Sequence, residues 1–200
     1  MSKLLLVDGN SIINRAFYGQ GRSGQLTAPD GTPTGAVYTF INMLLRYKAE
    51  FEPSHIAVAF DRKEPTFRHE RYADYKANRT GMPEDLAVQM PILKSCLEAL
   101  NVTMLEQAGY EADDIIGTVA TKIAPHAQVY ILSGDRDDFQ LLTDRVWQIY
   151  PKTGGQMVLY TPESLEEEFG LRPDQIVDYK ALVGDSSDNI PGVKGIGKVS

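Results

Sequence analysis

One cysteine, one tryptophan and three histidines are all that this 200-residue chain offers of those residue types. A lone cysteine excludes an internal disulfide and fits a reducing, cytoplasmic compartment. Within Leu93-Lys94-Ser95-Cys96-Leu97, Cys96 reads as a small buried apolar residue on a helix. His55, His69 and His126 share no ligand spacing and read as structural or surface residues. No apolar stretch approaches the length of a membrane span. The N-terminal run Leu4-Leu5-Leu6-Val7 is too short for a signal-peptide core and is interrupted by Asp8. There is no serine elbow, no Walker-type phosphate loop, no internal repeat and no low-complexity linker. With 42% hydrophobic residues the chain can bury a proper core, and its length allows one large domain or one domain plus an appendage.

What the chain does have is carboxylates placed at turns. Asp8 follows Leu5-Leu6-Val7, Asp61 follows Val58-Ala59-Phe60, and Glu111, Asp113 and Asp114 stand together after Tyr110. Asp135 and Asp137 lie in Ser133-Gly134-Asp135-Arg136-Asp137, and Asp185 and Asp188 in Gly184-Asp185-Ser186-Ser187-Asp188-Asn189. Asp8, Asp61 and Asp135 each close an apolar run of strand length, where open α/β sheets place their ligands. So many acids at one sheet edge raise each other's pKa unless a cation neutralises them. Hard divalent ions that take oxygen ligands, Mg²⁺ above all, are the natural occupants.

The net charge of −7 argues at first against nucleic acid. Setting these nine carboxylates aside leaves eighteen acidic residues against twenty basic ones, a balance of +2. A polyanionic substrate is therefore compatible with the charge, provided that metal occupies the site.

Periodicity predicts short buried strands at Lys3–Val7, His55–Phe60 and Gln128–Leu132. Weaker strand patterns follow at Asn101–Leu105 and Val146–Tyr150, with an edge piece at Gln156–Tyr160. Helices are predicted over Gly35–Phe51, Glu84–Leu100, Asp113–Ile123, Pro162–Phe169 and Pro173–Val183. Strands alternating with helices imply an α/β fold, a mainly parallel sheet with helices on both faces.

Two regions break the alternation. Residues Arg62 to Met82 carry Arg62, Lys63, Arg68, Arg71, Lys76 and Arg79 against Glu64, Glu70 and Asp74, a net of +3. Phe67, Tyr72 and Tyr75 are interleaved. Cations for phosphates and aromatic faces for bases suit single-stranded nucleic acid, although a solvated charged helix has the same composition. The segment Ile190-Pro191-Gly192-Val193-Lys194-Gly195-Ile196-Gly197 suits a hairpin whose backbone approaches a phosphate, or simply a tight loop. The chain stops at Lys198-Val199-Ser200 just where a helix is due, which reads as a truncation.

The carboxylates divide into two groups. Asp8, Asp61, Glu111 and Asp113 suit one ion, and Asp114, Asp135, Asp137, Asp185 and Asp188 suit a second. Two ions about 4 Å apart serve a phosphoryl displacement, with many of the acids acting through water. Simpler roles compete for single members. Asp113 and Asp114 suit a helix start, and Asp185 and Asp188 suit turns. Asp138, directly before Phe139-Gln140-Leu141-Leu142, reads as a helix N-cap in preference to a ligand.

Taken together, Leu6-Val7-Asp8-Gly9-Asn10, Ala59-Phe60-Asp61, Tyr75-Lys76-Ala77-Asn78-Arg79, Tyr110-Glu111-Ala112-Asp113-Asp114, Ser133-Gly134-Asp135-Arg136-Asp137 and Gly184-Asp185-Ser186-Ser187-Asp188-Asn189-Ile190-Pro191-Gly192 closely resemble the 5′-nuclease (flap endonuclease-like) family. They run in family order over almost the whole chain. The resemblance implies a PIN-like catalytic domain over residues 1–183, with a helical arch at about 62–82. It also implies an incomplete helix-hairpin-helix-type DNA-binding element over 184–200. The expected cofactors are two Mg²⁺ ions, with Mn²⁺ as a substitute, and a potassium ion at the glycine hairpin. The expected reaction is hydrolysis of DNA phosphodiester bonds near a 5′ single-strand/duplex junction, in replication and repair.

The same match implies that all nine acids serve the metals, with Asp8 and Asp61 also counted as catalytic. Lys76 and Arg79 are expected on the scissile phosphate and Tyr75 against a base. Arg68, Arg71, Gly192, Lys194, Gly195 and Gly197 are expected to contact DNA. A monomer, with no membrane association and with room for a polymerase later in a parent chain, completes the expectation. Two other readings compete. A junction-binding module that does not cut expects losses among the carboxylates, and none is seen. A phosphatase of the aspartyl-phosphate type expects an Asp two residues after Asp8, where Asn10 stands.

Overall fold

Alternate residues of the first strand, β1 (Lys3–Asp8), serve opposite faces of the sheet. In the computed structural model, which describes residues 2–19 and 26–197, Leu5 and Val7 enter one core and Leu4 and Leu6 another. The first core is roofed by α1 (Gly9–Gly19), α2 (Gly35–Phe51) and, past β2 (His55–Ala59), by residues further along. The chain continues through α3 (Phe67–Arg71), α4 (Glu84–Ala87), α5 (Gln89–Ala99) and β3 (Thr103–Leu105). Next come α6 (Ala112–Ile123), which covers the second core, β4 (Gln128–Leu132), β5 (Val146–Pro151) and β6 (Met157–Tyr160). The last elements are α7 (Pro162–Phe169), α8 (Ile176–Val183), β7 (Gly184–Asp185) and β8 (Ile190–Pro191).

The main sheet has the order β3-β2-β1-β4-β5-β6, parallel throughout except for the antiparallel β6. Strand order reverses at β1, so the crevice between the carboxyl ends of β1 and β4 is the topological switch point. Asp8 ends β1 there, and Asp135 follows β4. Asp8 shares the parity of Leu4 and Leu6, which puts it on the α6 side of the sheet.

Several elements differ from expectation for local reasons. The expected helix over Glu84–Leu100 is two pieces, because Pro91 has no N–H for the Ala87 carbonyl and its ring crowds it. Helix α1 was not expected. It follows β1 without a loop, and Asp8 itself caps it by accepting the Ser11 N–H at 2.9 Å. Gly9 permits this junction, since a Cβ there would lie 2.3 Å from the Phe60 ring and 2.8 Å from the Ala59 carbonyl oxygen. Of the expected helical arch only Phe67–Arg71 is helix and the following residues form turns, as a segment without an apolar stripe allows. The final expected helix begins as a 3-10 turn at Pro173–Gln175.

Glycine is also required where β7 meets β8. Gly184 has φ 77° and ψ −177°, and a Cβ there would lie 2.3 Å from the Gly192 nitrogen. Beyond this crossing, Gly192 to Gly197 is exposed, with the Val193 N–H donating to the Leu182 carbonyl at 2.8 Å. The continuation expected at Lys198 to Ser200 lies outside the described residues.

Candidate metal centre

Five separate stretches of chain bring carboxylates to one cavity of about 250 Å³. Its lining includes Asp8, Asp61, Glu111, Asp113, Asp135, Asp137, Asp185 and Asp188, with Lys76 and Arg79. Hydrogen bonds fix the frame around it. Asp61 accepts the Ala112 N–H at 2.7 Å, so it caps α6 from outside the helix, and the Asp61 N–H donates to Asn10 Oδ1 at 2.9 Å. Asp135 accepts the Asp137 N–H at 2.9 Å. Gln148, wholly buried on β5, donates to the carbonyls of Ser133 and Asp135 at 3.1 and 2.6 Å, pinning the loop after β4.

Asp114 stands apart from the cavity. It accepts two hydrogen bonds from Arg68 at 2.7 and 2.8 Å and the Glu111 N–H at 3.0 Å, closing a capping box on α6. Burial pushes its carboxyl up, but the Arg68 hydrogen bonds, the Glu111 N–H and the charges of Arg68 and Lys76 together outweigh burial and hold it below the usual range. Arg68, expected on DNA, is thus committed to an internal acid. Arg71 remains exposed, its guanidinium 5.6 Å from the Phe67 ring centre.

Tyr75 is buried, at 5% exposure, where a base-stacking ring was expected. Its hydroxyl lies 3.0 Å from Glu111 and 3.1 Å from Asp188, and can donate to either. Lys76 Nζ reaches Glu111 at 2.8 Å, and Arg79 pairs with Asp188. The same segment is tied by backbone to the loop before β8. The Lys76 N–H donates to the Asp188 carbonyl at 3.0 Å, Asn78 to that of Ser186 at 2.7 Å and Arg79 to that of Ser187 at 3.2 Å. Lys76 holds φ 55°, in the left-handed region.

Two members of the site were missed in the sequence. Lys180 on α8 bridges Asp137 at 2.5 Å and Asp185 at 2.7 Å. Burial raises the Asp185 carboxyl, but hydrogen bonds from Lys180 and Ser187 outweigh it and bring it to about 2. A basic residue on a short helix gives no signal of its own. The second is Asp138. It is not the N-cap expected, since Arg136 precedes the 3-10 turn Asp137–Leu141 and Asp138 lies inside that turn, 2% exposed. Its signal was there: a third acid beside Asp135 and Asp137.

Burial pushes the Asp8 carboxyl up to about 7, and the charges of Asp61 and Asp135 add to it. Burial and the neighbouring Asp8, Asp135 and Asp61 push Asp113 up to about 8. Both groups hold protons more tightly folded than unfolded. Their stabilising contribution is complete below the ordinary aspartate value of 3.8 and is lost as pH rises through about 7 to 8. Melting temperature in EDTA is therefore expected to fall between about pH 4 and pH 8. Saturating Mg²⁺ should remove that fall, because the cation takes the deprotonated form. A stability in EDTA that climbs towards pH 8 would contradict the assignment.

An all-oxygen donor set with buried acids suits a hard divalent cation. Residues 3–170 match the family model for the N-terminal resolvase-like domain of 5′-3′ exonucleases, and residues 171–200 match that for the C-terminal SAM fold. The chain belongs to the 5′-3′ exonuclease family. It is 44% identical over 202 residues to DNA polymerase I of Caldicellulosiruptor bescii, covering 99% of this chain and 23% of that protein. It is 46% identical over 197 residues to the thermostable DNA polymerase I of Thermus thermophilus, covering 98% and 23%. This exonuclease-family chain thus spans less than a quarter of the length of the curated relatives it matches. Its fold is shared with the T5 5′-exonuclease solved with zinc bound, at TM-score 0.77 and 24% identity, covering 98% of this chain and 72% of that one. Among the described residues, no helix is long and apolar enough to cross a membrane.

Proposed function

We propose that the chain hydrolyses DNA phosphodiester bonds near 5′ single-strand/duplex junctions, as a divalent-metal-dependent 5′-3′ exonuclease and flap endonuclease. One observation carries this reading: eight carboxylates from distant segments line a single cavity with Lys76 and Arg79 beside them. Asp8, Asp61, Glu111, Asp113 and Asp135 are the residues to hold Mg²⁺, with Mn²⁺ as a substitute, and Asp137, Asp185 and Asp188 complete the set. When bound, such ions supply charge stabilisation at the phosphate and lower the pKa of attacking water. The chain's own part is placement. Lys76 and Arg79 bring positive charge to a phosphate at the cavity rim, and the buried acids keep the pocket selective for cations.

Arg71, Lys194 and the exposed backbone at Gly192, Gly195 and Gly197 are the proposed contacts to DNA phosphates, with K⁺ held by carbonyls of that hairpin. The T5 D15 flap endonuclease, solved with DNA and metal ions, shares the fold at TM-score 0.77 and supports this reading. The match to polymerase relatives supports a place in replication and repair, as the nuclease part of a longer polymerase chain, and a cytoplasmic monomer is proposed with it. Cleavage of a fluorescent 5′-flap duplex is the test. Products are expected with Mg²⁺ or Mn²⁺ and none with EDTA. Binding without cleavage under every metal condition would instead support the junction-binding module.

A further inference from the structure

Asp138 is the one acid of this region that neither the family match nor the expected ligand set includes. It lies 2% exposed within the 3-10 turn after β4, where the Ser133 side chain is a hydrogen-bonding neighbour, and an aspartate so deeply buried is rare unless both oxygens are paired. Its Oδ2 is shielded from solvent and has no hydrogen-bond partner among the described residues. Single carboxylate oxygens of Asp8, Asp113 and Asp138 all lie within 4.8 Å of one another. Oxygens on opposite sides of one Mg²⁺ are about 4.2 Å apart, and those around Ca²⁺ about 5 Å. The cluster therefore has the dimensions of one ion's coordination shell.

The distribution of internal cations sharpens the point. Lys76 pairs with Glu111, Arg79 with Asp188, Lys180 with Asp137 and Asp185, and Arg68 with Asp114. Among the described residues, none of these cations forms an ion pair with Asp8, Asp113 or Asp138, although the Lys76 charge is felt at Asp113. Two buried carboxylates and a partly buried third, with oxygens within 4.8 Å of one another, need an external positive charge or a retained proton.

We propose that Asp138 is a further cation ligand, completing with Asp8 and Asp113 an inner site for a divalent ion. This rests on the reading of the cavity as a metal centre and adds a ninth acid to the eight that line it. The neutral alternative, Asp138 as a buried carboxylic acid that binds no ion, forecasts an unchanged metal affinity when Asn replaces it.

Mn²⁺ binding to the metal-free chain, followed by electron paramagnetic resonance of free Mn²⁺ at pH 8 without DNA, distinguishes the two. Asp138→Asn is expected to weaken the tightest Mn²⁺ site by about tenfold or more. Asp138→Leu should do the same, and should also shrink the rise in melting temperature that Mn²⁺ gives the native chain. Circular dichroism in EDTA checks that each variant is folded, and the isosteric Asn variant decides the matter if the Leu variant does not fold. Wild-type Mn²⁺ isotherms in Asp138→Asn, alongside a lost site in Asp8→Asn, would overturn this inference alone. An unchanged isotherm in Asp8→Asn as well would overturn the metal-centre reading with it.

Discussion

Asp8→Asn is expected to reduce flap cleavage by at least about a hundredfold while leaving DNA binding nearly intact. Asp8 lines the cavity, capping α1 through Ser11 and accepting the Ser133 hydroxyl at 3.3 Å. The amide keeps the shape and can still accept the Ser11 N–H, so the fold should survive. It removes one negative charge from the shell that holds the cation, and about 1.4 kcal/mol of barrier corresponds to each tenfold loss. Binding should not suffer, because a less acidic cavity repels phosphate less. Single-turnover cleavage with excess enzyme, beside a Ca²⁺ binding titration, is the measurement. Retention of more than about a tenth of the native rate would remove Asp8 from the metal shell.

Lys76→Ala should separate rate from affinity. The Lys76 amide is pinned to the Asp188 carbonyl and its ammonium group is held 2.8 Å from Glu111, so its charge stands at the cavity. Charge needed where phosphate charge builds up acts on the transition state more than on the ground state. A loss of about a hundredfold in single-turnover rate is expected, with only a few-fold change in DNA affinity. Arg71, exposed on α3, has no tie to the acids. Arg71→Ala should weaken binding and reduce the salt slope by about 1, with little effect on the rate of bound substrate. Equal effects of both substitutions on rate would mean that this segment only grips the strand.

The strands that carry the centre were legible because each is an uninterrupted apolar run ending in a turn residue. Leu4 to Val7, Ala57 to Phe60 and Val129 to Leu132 are buried on both faces, so composition alone marked them. Helix α1 escaped notice because no loop or cap residue separates it from β1: Asp8 ends the strand and caps the helix at once. Eight of the nine acids read as a set, all but Asp114, do line one cavity, and they were legible because they recur at strand ends and helix starts. Their individual duties were not. Asp114 faces Arg68, 46 residues earlier, and Tyr75 turns inward to Glu111, 36 residues later. Such pairings depend on how α3 lies against α6, which no local pattern records. Asp138 was misread because an acid before Phe-Gln-Leu-Leu has the look of a cap. The turn that buries it is 3-10, fixed by Phe139 and Leu142 entering a small core with Leu165 and Ile176.

The register of β1 against β4 has a consequence for the chain during its synthesis. Val7 lies beside Leu132, and Ser133 reaches Asp8 across 125 residues of sequence. Lys76 and Arg79 are held in place by residues 186 to 189 together with Glu111. A nascent chain released up to β3 has Asp8 and Asp61 but nothing opposite them. Such long-range parallel pairing forms slowly and late. On the proposed function, the ability to cut should therefore arrive abruptly, once residues as far as 189 have emerged.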